Sequence, residues 1–85
     1  MNDLTKMRYG VASLSIQNEA KRAAEKFPAF NSAHEGYAVL LEEVDELWDE
    51  VKRHDIDHDA MIAEAIQVGA MALRFVADMR AKHGR

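Results

Sequence analysis

A chain of 85 residues makes one domain, residues 1–85, with a core that is small for its surface. The composition, 48% hydrophobic with one Pro and four Gly, excludes disorder and suits helices, and the absence of Cys excludes disulfides and thiolate metal sites. A formal net charge of -4 argues against nonspecific binding to duplex nucleic acid, which depends on basic side chains neutralising phosphates.

The lack of Cys fits a reducing cytoplasm. No apolar run approaches the roughly 20 residues of a membrane span, and the opening Met1 to Met7 is unlike a signal peptide. The expectation is a cytoplasmic protein with no membrane partner.

From about Asp3 to Phe27, Leu4, Met7, Val11 and Leu14 recur at helical spacing and are followed by Ala20, Ala23, Ala24 and Phe27, which predicts a helix. Gly10 weakens it near its start. Gln17 and Asn18 interrupt the apolar stripe, as an exposed turn of helix or as the wall of a pocket. Lys21, Arg22 and Lys26 form a positive cluster suited to the negative end of a helix dipole, although such side chains are ordinarily solvated. Pro28 then ends the helix, because it cannot extend one and restricts the residue before it. Phe27 and Phe30 are expected to anchor this corner.

Ser32 to Arg53 carries the most information. Ser32 reads as an N-cap, with Glu35 completing a capping box. Val39, Leu40, Leu41, Val44, Leu47, Trp48 and Val51 are read as one apolar stripe. Between Glu35 and Glu50 stand seven carboxylates and no Lys or Arg. Glu43 and Glu46, three positions apart, lie about 60° from one another around the axis and point the same way. Like charges at that spacing weaken a helix, so compensation from outside is expected.

His54 to Asp59 is a polar connection. Its alternating Asp residues suggest a calcium loop, but Ala60 stands where Gly is needed and Ile66 where a bidentate Glu belongs, so an EF-hand is rejected. His54 and His58 lack a third ligand and read as a wet turn. Asp57 or Asp59 is expected to cap the next helix.

That helix, about His58 to Lys82, is apolar almost all round from Ala60 to Ala77, which predicts a central, buried element. Glu64 has no base at three or four residues' distance, and a buried carboxylate is costly unless it is paired or holds a cation. Glu64, Gln67, Met71, Arg74 and Asp78 follow one another at alternating spacings of three and four and read as a site wall. The expected fold is all-α: three helices packed antiparallel through short turns, with a homodimer completing a four-helix bundle, because the third helix has more apolar girth than two small helices can cover.

Set side by side, the two long helices can bring Glu43 and Glu46 to face Glu64. An oxygen-only cluster of this kind suits Mg²⁺ or Mn²⁺. On its own, the Glu42-Glu43-Val44-Asp45-Glu46 run reads most simply as solvated helix surface; the isolated acid at Glu64 is what favours a site.

Glu42-Glu43-Val44-Asp45-Glu46 resembles the E-E-x-x-E helix motif of the MazG-like all-α nucleoside triphosphate pyrophosphohydrolases, and Glu64-Ala65-Ile66-Gln67 falls where that family has E-x-x-D. The likeness covers about Ser32 to Asp78 and is closest to the small single-domain members. It implies hydrolysis of a (deoxy)nucleoside triphosphate to a monophosphate and pyrophosphate, with Mg²⁺ or Mn²⁺ as cofactor and Glu43, Glu46 and Glu64 as metal ligands. Gln67 departs from the pattern, which implies fewer metal ions, an extra acid from Asp78 or a partner chain, or loss of hydrolysis.

In the active reading, Glu42 or Glu46 takes the proton of the attacking water. Arg74 either steadies the triphosphate or pairs with Asp78 four residues on. Asn18 and Gln17 touch the base, and Trp48 and Tyr37 either stack on it or pack in the core. The alternative is a noncatalytic helical module that binds nucleotides or proteins on the same scaffold.

Overall fold

The computed structural model describes residues 1–84, which form three helices: α1 (Asp3–Lys26), α2 (Ala33–Val51) and α3 (His58–Lys82). Each begins where a side chain can accept a free backbone N–H. Asn2 Oδ1 accepts from Thr5 N at 2.8 Å, Ser32 Oγ from Glu35 N at 3.1 Å and Asp57 Oδ1 from Ala60 N at 3.1 Å. The capping box at Ser32 is displaced by one residue. Glu35 accepts from Asn31 N at 3.2 Å and Asn31 Nδ2 at 3.0 Å, which ties the helix to the residue before its cap.

α3 lies in the middle and packs against both other helices, whereas among the described residues no Cα of α1 comes within 8 Å of one in α2. α2 runs antiparallel to α3. α1 runs parallel to it: residues 4–16 lie beside Ile62 to Ile66, and residues 17–24 beside Leu73 to Asp78. The chain reverses at each connection, as expected, but the middle helix is α3, so its contact with α1 is a parallel one.

The cause is the Phe27–Ser32 connection, which crosses over α3 and delivers α2 to its far side. Two side chains of α3 pin that crossing. Asp78 Oδ2 accepts from Phe30 N at 3.0 Å, and Arg74 donates from Nη2 to the Pro28 carbonyl at 3.0 Å while its guanidinium lies 4.6 Å from the Phe30 ring centre. The buried core is Ala20, Ala23, Phe30, Ala70 and Met71, flanked by Val39, Leu40, Phe75 and Met79.

Two glycines set the helix spacings. A Cβ at Gly69 would meet Ile16 Cδ1 at 2.9 Å, and one at Gly36 would meet Phe75 Cδ2 at 2.6 Å, so each absence of a side chain lets a neighbouring helix come close.

The expected burial is corrected in three places. α3 is central, but only Ala70, Met71 and Arg74 of it are buried, and Ile62, Leu73 and Val76 are exposed. The Leu4, Met7, Val11 and Leu14 stripe of α1 is exposed, because α1 turns Ile16, Ala20 and Ala23 toward α3 instead. The apolar stripe of α2 divides into two. Val39 and Leu40 pack on the core, while Tyr37, Leu41, Val44, Trp48 and Val51 form an open row on another side. Trp48 and Tyr37 are thus not core residues.

α3 is also long and apolar enough to cross a membrane by length and composition, with only 17% of its most apolar stretch buried. The expectation that no segment approaches a span is corrected on that point. Counting uninterrupted apolar residues stops at Glu64 and Arg74, whereas a window average passes over both.

Candidate metal centre

The centre is built where α2 and α3 run antiparallel. Glu43 and Glu46 stand on the α2 flank that faces α3, and Glu64 comes from the first half of α3. One carboxylate oxygen from each lies within 4.8 Å of the other two, the only such grouping of His, Asp and Glu among the described residues. His54 and His58 are exposed and stand outside it. Glu43 and Glu64 are half-buried and Glu46 is exposed, so the cluster opens to solvent on the α2 side.

Glu64 Oε2 is buried and has no hydrogen-bond partner. A buried acceptor left unmade is costly, and a carboxylate relieves the cost by accepting a hydrogen bond or by taking up a proton or a cation. The protonation equilibria carry the same signature. Burial pushes the Glu43 carboxyl up to about 7, helped by the negative charge of Glu46 and then Glu64 and Glu42. Burial likewise raises Glu64, with the charges of Glu46 and then Glu50 adding to it. Without a cation the cluster holds protons near neutrality. Hard oxygen donors converging on one point, one of them unpartnered, fit a small divalent ion.

Glu50 belongs to this electrostatic neighbourhood and had not been singled out. Its signal was available in the sequence, since positions 43, 46 and 50 are spaced three and four apart and share a helix flank. Glu42 is exposed outside the three-carboxylate group and reaches it only through its charge on Glu43.

The α3 stripe does not act as a single wall. Gln67 is drawn toward α1, where its amide helps Arg22, the larger influence, to hold the Glu19 carboxyl below its usual range. Arg74 is buried and committed to the Pro28 carbonyl and the Phe30 ring, and Asp78 is committed to Phe30 N. No ion pair joins Arg74 to Asp78 among the described residues. Asn18 is exposed on α1, while Gln17 lines a cleft with Lys21, Arg74 and Asp78.

Beside the cluster lies a cavity of about 350 Å³ that connects Glu43 to the α1–α2 crossing and is walled by Phe27, Phe30, Val39, Met71 and Arg74. Trp48 and Tyr37 stand outside it. The arrangement sets three carboxylates that could hold a cation next to a mostly apolar recess lined by one guanidinium. Comparison of the chain with the models of known families, with curated proteins and with solved structures returns no match, so the family likeness rests on the residues of α2 and α3 alone.

Proposed function

We propose that this chain is a Mg²⁺- or Mn²⁺-dependent nucleotide pyrophosphohydrolase, acting as a homodimer, that converts (deoxy)nucleoside triphosphates to monophosphates and pyrophosphate. The observation that carries the reading is the buried, unpartnered Oε2 of Glu64 in a cluster with Glu43 and Glu46. The resemblance of Glu42 to Glu46 and of Glu64 to the MazG-like motifs supports the reaction class.

In this reading Glu43, Glu46 and Glu64 hold the ion. When bound, it supplies positive charge against the phosphate oxygens and favours ionisation of water. The protein's own part is positioning and proton transfer. Glu46, the exposed member of the cluster, or its neighbour Glu42 takes the proton from the water that attacks the α-phosphorus, and the bond to the bridging oxygen of pyrophosphate breaks. The cavity next to Glu43 gives the nucleoside part of the substrate room close to the cluster, with Arg74 at its edge.

One observation favours the noncatalytic alternative. Gln67, which stands where the family has an acid, is neutral and lies close enough to Glu19 to help lower that carboxyl, so the cluster has three carboxylates and no fourth from that position.

Incubation of the purified protein with a panel of nucleoside triphosphates and Mg²⁺ or Mn²⁺ separates the two. The expected result is equimolar monophosphate and pyrophosphate, lost in Glu43→Gln and Glu64→Gln with helix content unchanged by circular dichroism. An inactive wild type that also shows no calorimetric binding of either ion would leave only the noncatalytic module.

A further inference from the structure

α2 carries a second apolar face that nothing in the described fold covers. Tyr37, Leu41, Val44, Trp48 and Val51 recur at intervals of four, three, four and three, and their exposures run from 39 to 60%. They form a row about 21 Å long, close to four turns of helix. Packing within the chain does not account for the row, since Val39 and Leu40 are the α2 side chains that meet the core and Gly36 is where α2 takes the Phe75 ring. Apolar side chains exposed singly need no explanation, whereas a continuous row with a Trp inside it marks a contact surface. At its Tyr37 end a shallow recess of about 340 Å³ opens between Ala33, His34 and Phe75.

Charge selects the occupant. Glu42, Asp45 and Asp49 are exposed and line the row on the side away from α3. Among the described residues Glu42 and Asp45 pair with no base, and the one ion pair on this flank, Asp49 with Lys52 at 3.1 Å, is too exposed to neutralise much. Nucleic acid or an anionic lipid surface would be repelled here. A second copy laid antiparallel on the row would set one acid flank against the other. The row fits a surface of opposite sign with the same apolar period.

We propose that the outer face of α2 docks an amphipathic helix of a different protein, with apolar residues at three- and four-residue spacing and Lys or Arg along the flank that meets Glu42, Asp45 and Asp49. Apolar side chains of the two helices interlock along the seam, and the flanking charges fix register and direction. Trp48 is the anchor within the row, and the recess beside Tyr37 takes an apolar side chain near one end of the incoming helix. Glu46 lies nearly opposite the row on α2, so docking leaves the three-carboxylate cluster open. The inference does not depend on hydrolase activity.

Trp48 is the only Trp of the chain, so its fluorescence reports the docking directly. The probe is a synthetic helix of about 18 residues, five turns, with Leu at three- and four-residue spacing, Lys along one flank and Ala elsewhere. Titrated into the full chain, it should shift Trp48 emission to the blue and saturate, and the same peptide with Glu in place of Lys should not. Asp45→Lys combined with Asp49→Lys should weaken the Lys peptide by about tenfold and let the Glu peptide bind. Asp55→Lys combined with Asp59→Lys changes the net charge equally but lies at the α2–α3 connection and the start of α3, and it should leave both results unchanged. Leu41→Ser should weaken the Lys peptide with helix content unchanged by circular dichroism. Absence of a blue shift, equal weakening by the two charge reversals, or full binding in Leu41→Ser would each overturn the proposal. So would a mass by light scattering that halves in Trp48→Glu, which would make a second copy the cover, or a blue shift with neutral phosphatidylcholine vesicles, which would make it a bilayer.

Discussion

Glu64 shows how one side chain can set a pH dependence. In the cation-free protein Glu43 titrates at about 7 and Glu64 is also raised, while both return to the ordinary carboxyl range on unfolding. Between about 4.5 and 7 the folded state therefore holds more protons than the unfolded one, and stability falls as pH rises through that window. Below it the contribution is complete. Metal-free protein should melt at a higher temperature at pH 5 than at pH 8 in differential scanning calorimetry. Glu64→Gln should flatten that slope and raise the pH 8 midpoint by about 5 °C, roughly what 1 kcal/mol gives in a domain this small. Saturating Mn²⁺ should reverse the slope for wild type, because ligands must be deprotonated to bind, and should do nothing for the variant. Arg74 makes a second prediction at this scale. It holds the Pro28 carbonyl and the Phe30 ring with a planar fork that Lys cannot copy. Arg74→Met should cost about 2 kcal/mol in urea unfolding through loss of the charged hydrogen bond, and Arg74→Lys less, because an ammonium keeps the charge and a donor for the Pro28 carbonyl. At this scale much was legible: the isolation of Glu64 in an apolar helix identified the residue that needs a partner. The competing demands on Gln67 and Arg74 were not, since Glu19 and Pro28 become their neighbours only after the chain folds.

Among the elements, the glycines of the helices separate by what surrounds them. Gly36 faces Phe75, and a Cβ there would sit 2.6 Å from a ring carbon, whereas one at Gly10 would meet nothing within 4 Å. Gly36→Ala should destabilise by about 1–3 kcal/mol through forced repacking between α2 and α3. Gly10→Ala should stabilise by about 0.5–1 kcal/mol through helix propensity alone. Equilibrium urea curves on the two variants check both signs. Helix existence, order and starts could be read from Ser32, Asp57 and the apolar periodicity, because caps and spacing are local. Which flank faces inward could not be read in this way. Leu40 packs inward while its neighbour Leu41 is exposed, although both belong to the same apolar run. Nor did periodicity reveal that the Phe27–Ser32 connection crosses α3, which depends on bonds from Arg74 and Asp78 to residues more than 40 positions away in sequence.

For the whole molecule, the governing fact is a core of five buried hydrophobic residues, none of them from α2. So little burial gives a marginal monomer. Stability should then depend on concentration, the thermal midpoint rising by several degrees between about 1 and 100 µM as mass action favours the associated state. A midpoint independent of concentration would mean that the single chain is self-sufficient.

Because the backbone of α1 comes close to α3 and not to α2, the start of α1 and the three acids lie on opposite flanks of one rod. Changes at the start of the first helix therefore leave the three acids where they are, and changes among the acids leave the first helix on its seat. Such independence lets the two flanks of one short polypeptide vary separately.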